Sequence, residues 1–381
     1  MLNKRPSLLK YLCISIAVAG AVLLRAELPR EPAGDSWRVS LPGWNYVFPR
    51  DHGSHPDFKT EWWYFTGNLK SDTGREFGYQ LTFFRQGVRP PSERPVAASR
   101  FVVDHVQFVH FAISDISRGR FFFDQDLTRG AFGEAGFSDG ERLAWIGRCS
   151  LVLLPGGGFR IVGASSELSL DLELHSAKPV VFHGAEGVSQ KAAGPGRASH
   201  YYSFTRLLSK GSLSVEGEKF AVTGTSWYDH EWATNQLTAD QVGWDWFSLQ
   251  FDDGSELMLF QIRTKEGGRD PFSGGTYVRA DGSSVAVRNE DFVLTPGRTW
   301  QSKSTSATYP VEWNLKIVKL DLDIDIAARL DTQELVLAPI SYWEGSIRAV
   351  GKHSGKPVSG LGYLEMTGYA GPIVGMQAVV E

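Results

Sequence analysis

The chain has 381 residues, of which 39 are basic and 43 acidic, and its net charge at pH 7 is −4 with the histidines neutral. This length suits two domains of about 150 to 200 residues, each large enough to bury a full core. No run of Lys and Arg is long enough to follow a phosphate backbone, so the composition argues against nucleic acid as a partner.

The N-terminus has the pattern of an export signal. Lys4, Arg5 and Lys10 precede an apolar run over residues 11–24, which at roughly 14 residues is short for a membrane-spanning helix. Two outcomes stay open: cleavage after Ala26, or retention of this segment as a membrane anchor. In either case we predict an exported protein, periplasmic or secreted, that meets the membrane only through its first 26 residues if they are kept.

Residues 27–59 predict an extended lead-in, because their first part is rich in Pro, Arg and Gly, and regular structure is expected to begin near Thr60. From there, short stretches rich in aromatic and β-branched residues alternate with turns of Gly, Asp, Ser and Pro, which is typical of an antiparallel meander. The strands predicted in the first half are 61–69, 76–85, 105–113, 120–123, 145–154, 158–164, 168–175 and 201–207.

Residues 224–232 predict a further, central strand, after which the pattern resumes. The strands predicted in the second half are 244–251, 256–264, 275–279, 284–288, 311–317, 321–328, 343–350 and 362–369. Residues 320–326 alternate strictly between apolar and acidic side chains, which indicates one dry and one wet face.

Eight strands on each side of the central stretch predict an all-β fold of two antiparallel β-barrels, because closure removes the exposed edges of a long sheet. We place the two barrels at residues 60–235 and 236–381, with a polar connection near residues 234–243. A barrel of about eight strands has room for one small ligand.

The central stretch concentrates an Asp, a His and a Glu between aromatic residues. Alternate residues of a strand share a face, so that one face holds Trp227, Asp229 and Glu231. The opposite face holds Tyr228, His230 and Trp232. Carboxylates inside a barrel need hydrogen bonds or ion pairs, and burial raises a carboxyl pKa toward the value that a general acid needs near neutral pH.

Two interpretations of this stretch stay open. The two carboxylates either belong to a functional site or satisfy backbone amides and an Arg at a barrel rim. For the first case, the candidate catalytic residues are Asp229, His230, Glu231 and Tyr228, with Trp227 and Trp232 as ligand-binding neighbours.

Aromatic residues make up 12% of the chain, and aromatic walls suit a long apolar or polyene ligand that a few polar groups orient. Further candidate ligand-binding residues are Glu61, Trp63, Tyr64, His110, Trp244 and Trp246. The alternative for the opening strand is a structural set of aromatic side chains, and for His110 a hydrogen-bonded core histidine. Neither His-Glu-x-x-His nor paired Cys-x-x-Cys occurs, so we predict no metal and no other cofactor.

Motifs in order along the chain resemble those of the AttH and carotenoid 1,2-hydratase (CrtC) family of two-domain lipocalin-like proteins. The resembling segments are 61–67, 110–115, 178–179, 183–184, 187–191, 199–206, 224–232, 342–345 and 362–369. The resemblance implies two lipocalin-like (calycin) barrels packed side by side, with a hydrophobic pocket in or between them.

The resemblance leaves two main functions open. The first is an exported protein that binds a hydrophobic small molecule, isoprenoid or lipid-like, and works with an ABC-transporter-type envelope system. The second is a hydro-lyase or isomerase of the carotenoid 1,2-hydratase type, in which Asp229 protonates an alkene, aromatic faces stabilise the carbocation and water captures it. A cyclisation enzyme and a generic hydrolase are further alternatives.

One feature departs from the hydratase branch. There the central motif is expected to read Tyr-Trp-Asp, whereas this chain has Trp227, Tyr228 and Asp229 in that order. The exchange puts the Tyr on the strand face opposite the Asp. For this reason the sequence resembles the AttH branch more closely, and the binding function is the first prediction.

Overall fold

The structure is a computed structural model that describes residues 36–95, 101–338 and 340–373. The segment interpreted as a signal peptide or anchor, residues 1–26, lies outside these ranges. Among the helices within them, none is both long and apolar enough to cross a bilayer.

Thirteen strands of the described residues form a first antiparallel sheet. They are β1 (Thr60–Ser71), β2 (Glu76–Gly87), β3 (His105–Asp115), β4 (Arg120–Thr128), β5 (Ala135–Phe137), β6 (Arg142–Ile146), β7 (Cys149–Leu153), β8 (Phe159–Ala164), β9 (Leu168–Ser176), β10 (Val181–Phe182), β11 (Val188–Gln190), β12 (Ala198–Val215) and β13 (Glu218–Ala233). Their order is β4-β3-β2-β1-β13-β12-β9-β8-β7-β6-β5, with β10 and β11 also on β12. The central stretch is therefore the C-terminal part of β13, between β1 and β12.

Ten further strands of the described residues form a second sheet, and a separate hairpin lies beside them. They are β14 (Gln241–Phe251), β15 (Glu256–Thr264), β16 (Gly274–Val278), β17 (Ser284–Arg288), β18 (Phe292–Pro296), the hairpin β19 (Thr299–Gln301) and β20 (Thr308–Pro310), then β21 (Glu312–Ile317), β22 (Leu322–Ala328), β23 (Glu334–Leu335), β24 (Tyr342–His353) and β25 (Lys356–Met366). The order is β17-β16-β15-β14-β25-β24-β22-β21-β18, with β23 on β24.

Short 3-10 turns complete the described elements: Arg50–His52, Pro91–Glu93, Ala131–Gly133, Asn289–Asp291 and Val318–Leu320. The predicted fold class is confirmed, because the protein is all-β with two nearly closed antiparallel barrel-like sheets. The first sheet ends at Ala233 and the second begins at Gln241. Whether 60–235 and 236–381 behave as separate domains stays a prediction.

Two predicted strands are wrong in detail. The segment 145–154 is a hairpin, because Gly147 adopts φ +54° and ends β6 before Cys149 begins β7. The alternating segment forms a strand only from Leu322, since Asp321 lies at φ +47° after a 3-10 turn. Within β22 the predicted faces hold, with the Leu and Ile side chains inside and the acidic ones outside.

The lead-in is not merely extended: its described part, residues 36–59, packs onto the core of the first sheet. Phe58 is buried there, and Trp44, Tyr46 and Phe48 lie against the same core. His55 stacks on Trp232 with ring centroids 3.8 Å apart. Burial of this aromatic surface outweighs the preference of a Pro- and Gly-rich segment for solvent.

A buried ion pair lies inside the first barrel. Glu61 Oε2 is 3.1 Å from Arg85 Nε, and Glu61 Oε1 contacts His55 and His230 at 2.7 and 3.0 Å. Burial alone would raise the pKa of Glu61, but His55 and Arg85 outweigh it and hold the pKa below its usual range. These side chains and the lead-in fill the barrel around Glu61.

A third apolar cluster lies between the two sheets. Its buried members are Tyr64, Tyr201, Trp227, Leu237, Trp246, Met258, Phe260, Ile262, Tyr363 and Ile373. All but Leu237 and Ile373 come from the outer faces of the two sheets, so each barrel covers part of the other's exterior. This region, called the seam below, is where the two sheets pack.

We predict that the lead-in is part of the folded core. Replacement of Phe58, which is 1% exposed, by Ala should lower the free energy of unfolding by about 3–5 kcal/mol, because it leaves a cavity. Val47→Ala is the control in the same segment, since Val47 is 42% exposed. Urea unfolding measures both, and equal midpoints for the two variants would contradict the prediction.

Candidate active site

A cavity of about 360 Å³ opens at the seam and is lined by residues of both sheets. Its aromatic lining consists of Trp62, Tyr64, Phe84, Phe108, Tyr201, Trp244, Trp246, Phe260 and Tyr342. Its ionisable lining residues, phenols aside, are Arg85, His110, Lys191, Asp229, Glu231 and Glu365. An apolar chamber with a few convergent polar groups is the usual form of a small-molecule site.

The strand register explains how these groups converge. In the first sheet, direct cross-strand neighbours form a row of Thr82, Tyr64, Asp229 and Ser203 on β2, β1, β13 and β12. In the second sheet the corresponding row is Glu344, Glu365, Trp246 and Phe260 on β24, β25, β14 and β15. The two rows face each other across the seam.

Two hydrogen bonds near these rows join the two sheets. The Tyr64 hydroxyl donates to Glu344 Oε1 at 2.7 Å, and the Trp246 indole donates to the Tyr201 hydroxyl at 3.1 Å. These contacts fix the position of the second sheet relative to the first, next to Asp229 on one side and Glu365 on the other.

Asp229 is buried and accepts hydrogen bonds on both carboxyl oxygens. Oδ2 accepts from the Tyr201 hydroxyl at 2.7 Å, while Oδ1 accepts from the Trp227 indole at 2.6 Å and from Ser203. Burial raises the pKa of Asp229 to about 7, against the effect of the three hydrogen bonds and with a further contribution from the Glu231 charge. A carboxyl group that is partly protonated at neutral pH can act as a general acid.

Behind Asp229, a polar chain reaches the second sheet. His183 Nε2 lies 2.6 Å from Ser203 Oγ, and His183 Nδ1 lies 2.9 Å from Thr276 Oγ1. Burial lowers the pKa of His183 to about 3, so its ring is neutral. If Ser203 donates to Asp229, the ring must donate through Nε2 and accept from Thr276 at Nδ1, which fixes its tautomer.

Glu231 has a different partner. Its Oε1 lies 3.4 Å from Lys191 Nζ, an ion pair without a hydrogen bond. The Lys191 ammonium also contacts Ser189 Oγ at 3.0 Å and lies 4.1 Å from the centroid of the Phe260 ring. This pair places one cation beside the carboxyl-rich end of the cavity.

Two more carboxyl groups belong to Glu344, which is buried, and to Glu365, which is half-buried in the cavity wall. The Trp244 indole donates to Glu365 Oε2 at 3.1 Å. Burial raises the pKa of Glu365 to about 7, with the Trp244 hydrogen bond opposing and the Glu231 and Asp229 charges adding to the shift. Burial and the charge of Glu365 hold the pKa of Glu344 well above its usual range.

Another part of the lining is polar but uncharged. His110 Nδ1 lies 2.8 Å from the Tyr342 hydroxyl, and the Gln80 amide donates to the same hydroxyl at 3.2 Å. Burial lowers the pKa of His110 to about 3, so its ring stays neutral. These groups can orient a hydroxyl or carbonyl of a bound molecule.

The structure brings half of the residues predicted from sequence into the cavity: Asp229, Glu231, Tyr64, His110, Trp244 and Trp246. Trp227 lies directly behind Asp229 as a hydrogen-bond donor. The faces of the central strand are thus as predicted, but the carboxylate face points outward from the first barrel, into the seam.

The remaining predicted residues lie in the interior of the first barrel: Glu61, Trp63, Tyr228, His230 and Trp232. Tyr228 stacks on Phe65 with centroids 4.3 Å apart, and Trp63 stacks on Phe137 at 4.7 Å. None of the five lines the cavity.

Several site residues were not predicted from sequence. Glu365, Glu344 and Tyr342 belong to the two second-barrel motifs, but motif membership alone does not say which side chains face a pocket. Tyr201 and Lys191 reach the cavity from first-barrel segments. The register of β25 against β14 and β24 was needed to bring Glu365 opposite Asp229.

His55, Glu61 and His230 are one group of the described residues whose ligating atoms, all within 4.8 Å, could hold a metal ion. Each of these side chains is already hydrogen-bonded to another, and Arg85 neutralises Glu61. Both histidines therefore act as partners of Glu61, and a metal would have to displace these bonds.

Residues 136–140 read Gly-Phe-Ser-Asp-Gly, a pattern that also occurs at the nucleophile elbow of serine hydrolases. Such an elbow requires a strand followed by a helix. Here Ser138 lies in the turn between β5 and β6, and its hydroxyl donates to Arg142 O at 2.7 Å. The local structure is a turn between two strands and not a strand-to-helix elbow, so this pentapeptide carries no argument for hydrolysis.

The chain is similar in sequence and in structure to known proteins. A family model described as AttH-like matches residues 39–369. The chain is 34% identical to a protein from Nitrosomonas europaea assigned as AttH, whose crystal structure superposes with a TM-score of 0.77 over 86% of this chain and 98% of that one.

Two relatives carry names that describe reactions. Kievitone hydratase from Fusarium solani subsp. phaseoli is 24% identical over 213 residues, 54% of this chain and 59% of the relative. Dehydratase asqC from Emericella nidulans is 23% identical over 218 residues, 54% of this chain and 60% of the relative. The matches thus span about three-fifths of the length of these relatives.

The raised pKa of Asp229 predicts how stability depends on pH. The folded state keeps the Asp229 proton up to about pH 7, whereas the unfolded state loses it near pH ~4. The resulting stabilisation is fully present below pH ~4 and is lost as the pH rises through about 7. The side chain of the Asp229→Asn variant stays neutral at every pH. As the pH rises from ~4 to ~7, the free energy of unfolding of the variant should therefore increase by up to about 4 kcal/mol relative to that of wild type.

Urea unfolding of both proteins across this pH range measures the difference. Asp323→Asn on β22 is the control, because the hydrogen bond to Lys316 lowers the pKa of the exposed Asp323 and the trend should be small and opposite. A difference between wild type and Asp229→Asn that does not change with pH would contradict the prediction.

Proposed function

The chain belongs to the AttH-like family, and from this premise we propose that it is a hydro-lyase, which adds water to or removes it from a carbon-carbon double bond of a hydrophobic substrate. The reaction would take place in the seam cavity. The similarity to a hydratase and a dehydratase supports this reaction class, and Asp229 as its general acid is our assignment.

A single observation carries the proposal: the pKa of a buried carboxyl group in an aromatic cavity is raised to about 7. Hydration of an alkene at neutral pH needs an acid that still carries its proton and lies where it can reach the alkene carbon. Burial meets the first condition by raising the pKa of Asp229, and its placement in the cavity wall meets the second. Tyr201, Ser203 and Trp227 hold its carboxyl group in one orientation.

In the hydration direction, the Asp229 proton is transferred to one alkene carbon. The Asp229 carboxylate that forms is stabilised by its three donors, which interact more strongly with the charged form. The positive charge that develops on the other carbon faces the aromatic lining, where Trp62 and Trp246 offer ring electrons to a cation. Water then attacks this carbon, and elimination is the reverse sequence.

Substrate orientation would fall to the uncharged polar groups. The His110–Tyr342 pair, with Gln125 Nε2 3.3 Å from His110 Nε2, lies on β3, β4 and β24. It can bind a hydroxyl or carbonyl of the substrate while the aromatic residues bind the hydrocarbon. Such division of the lining favours an amphiphilic molecule of isoprenoid or phenolic type.

A second function, binding of a hydrophobic small molecule without turnover, is favoured by the predominance of aromatic residues in the lining. It would suit an exported carrier that delivers its ligand to an envelope transporter. A carrier has no use for an acid whose pKa is near 7, so the two functions differ in their dependence on Asp229.

We predict that the protein incorporates water into alkenes of the hydratase type. Wild-type protein is incubated in oxygen-18 water with kievitone and with an acyclic carotenoid, and mass spectrometry detects the labelled alcohol. Asp229→Asn should lower the rate by about 10²–10⁴-fold, because the amide cannot supply the proton.

Asp245→Asn is a matched control, since Asp245 is a buried carboxyl group of the second sheet outside the cavity lining, and burial raises its pKa. Its rate should equal that of wild type under conditions where both are folded. Absence of label in every product, or an Asp229→Asn rate equal to wild type, would contradict a hydro-lyase that uses Asp229.

A further inference from the structure

We propose that Glu365 is the second reacting carboxyl group of the cavity, which takes a proton from the attacking water in hydration and returns it in elimination. The inference rests on the proposed hydro-lyase function and adds a base to the acid. It also assigns the two reacting groups to different barrels, so that neither barrel holds a complete site.

The contacts of Glu365 leave one oxygen available. Its Oε2 accepts from the Trp244 indole, whereas Oε1 has no hydrogen-bond partner among the residues that the structure describes. Glu365 lines the cavity. An oxygen in this position can accept a hydrogen bond from a water molecule that lies between the carboxyl group and the substrate.

The other carboxyl groups of the site are less suited to this role. Glu231 Oε1 lies 3.4 Å from the Lys191 ammonium, so its charge is already paired with a cation. Glu344 accepts from Tyr64 at Oε1 and, unlike Glu365, is not among the described residues that line the cavity. Asp229 is engaged by three donors and faces the opposite row.

The register shows why Glu365 rather than Glu344 becomes the carboxylate. The two are direct cross-strand neighbours on β24 and β25, where side chains are about 5 Å apart. Two carboxylates at such a distance cannot both ionise readily. Burial holds the pKa of Glu344 well above its usual range and raises that of Glu365 only to about 7, so Glu344 keeps its proton while Glu365 ionises.

The step balances with these two groups. The alkene π pair takes the Asp229 proton and forms a C–H bond, water forms the C–O bond through a lone pair, and Glu365 takes the proton that the water loses. The product is an alcohol, with Asp229 ionised and Glu365 protonated. Transfer of one proton from Glu365 to Asp229, through solvent, restores the starting state without any co-reactant.

The proton requirement gives the hydration rate a bell-shaped pH profile. Asp229 must be protonated and Glu365 ionised, and each titrates near pH 7. The titratable groups that face Glu365 are Glu344 and Tyr342 on β24, Asp229 and Glu231 on β13, and Tyr64 on β1. Because these groups interact, the two limbs report apparent pKa values of the set, and variants are needed to assign them.

We predict that Glu365→Gln lowers the hydration rate by about 10²–10⁴-fold and removes the fall in rate at acidic pH. Trp244→Phe keeps an aromatic ring but removes the donor to Glu365, which should raise the pKa of Glu365 and move the acidic limb to higher pH. If either residue had only a structural role, its replacement would lower the rate but leave both limbs of the pH–rate profile at the same pH. Asp245→Asn, the buried carboxyl outside the cavity, is the control for both.

An infrared titration of the protonated carboxyl band tests Glu365 without a substrate. Wild type should lose one more protonated carboxyl group than Glu365→Gln between about pH 5 and about pH 9. A Glu365 that is already ionised at pH ~5, or still protonated at pH ~9, would overturn the proposal, since the group could not exchange a proton near neutrality.

The kinetic outcomes separate the two proposals. If Asp229→Asn is inactive while Glu365→Gln keeps wild-type rate and both limbs, the role of Glu365 is wrong and the hydro-lyase function stands. If wild type labels neither kievitone nor the carotenoid, the hydro-lyase function fails, and the role of Glu365 fails with it.

Discussion

The burial of carboxyl groups between two β-barrels is the constraint on which this structure depends. Asp229, Glu344 and Glu365 lie on outer strand faces, which would meet water if each barrel stood alone. Packing of the sheets removes that water, and the cost is met by hydrogen bonds from Tyr201, Tyr64 and Trp244 or by protonation. The same packing of the two barrels therefore holds them together and raises the pKa values of these carboxyl groups.

The same constraint explains why the cavity lies at the seam and not inside a barrel. In the first barrel, Glu61 is paired with Arg85, and Phe58 of the lead-in closes the interior together with Trp232. A lipocalin-like barrel has room for one small ligand only when its interior is left open. With that space filled, the outer aromatic face of β13 and β1 becomes the binding wall, and the second sheet supplies the opposite wall.

Sequence periodicity was sufficient for the fold class, because alternation in segments such as 322–326 is a local property of a strand. Motif order was sufficient for the family, which the match over residues 39–369 confirms. The site itself was only partly accessible. Alternation separated Asp229 from His230 correctly, but nothing local says which face is the inside of a barrel. The pairing of Glu344 with Glu365 and the facing of Tyr64 and Glu344 depend on register and on packing between sheets, which no local pattern encodes.

The central claim is that Asp229 is an acid poised near neutral pH by burial at the seam. Carbon-13 NMR of protein labelled at the aspartate carboxyl carbons measures this directly, with Asp229→Asn used to assign the resonance. The account predicts a carboxyl resonance, absent from the variant, whose titration midpoint is about 7. A midpoint near ~4, the ordinary value for aspartate, would contradict it.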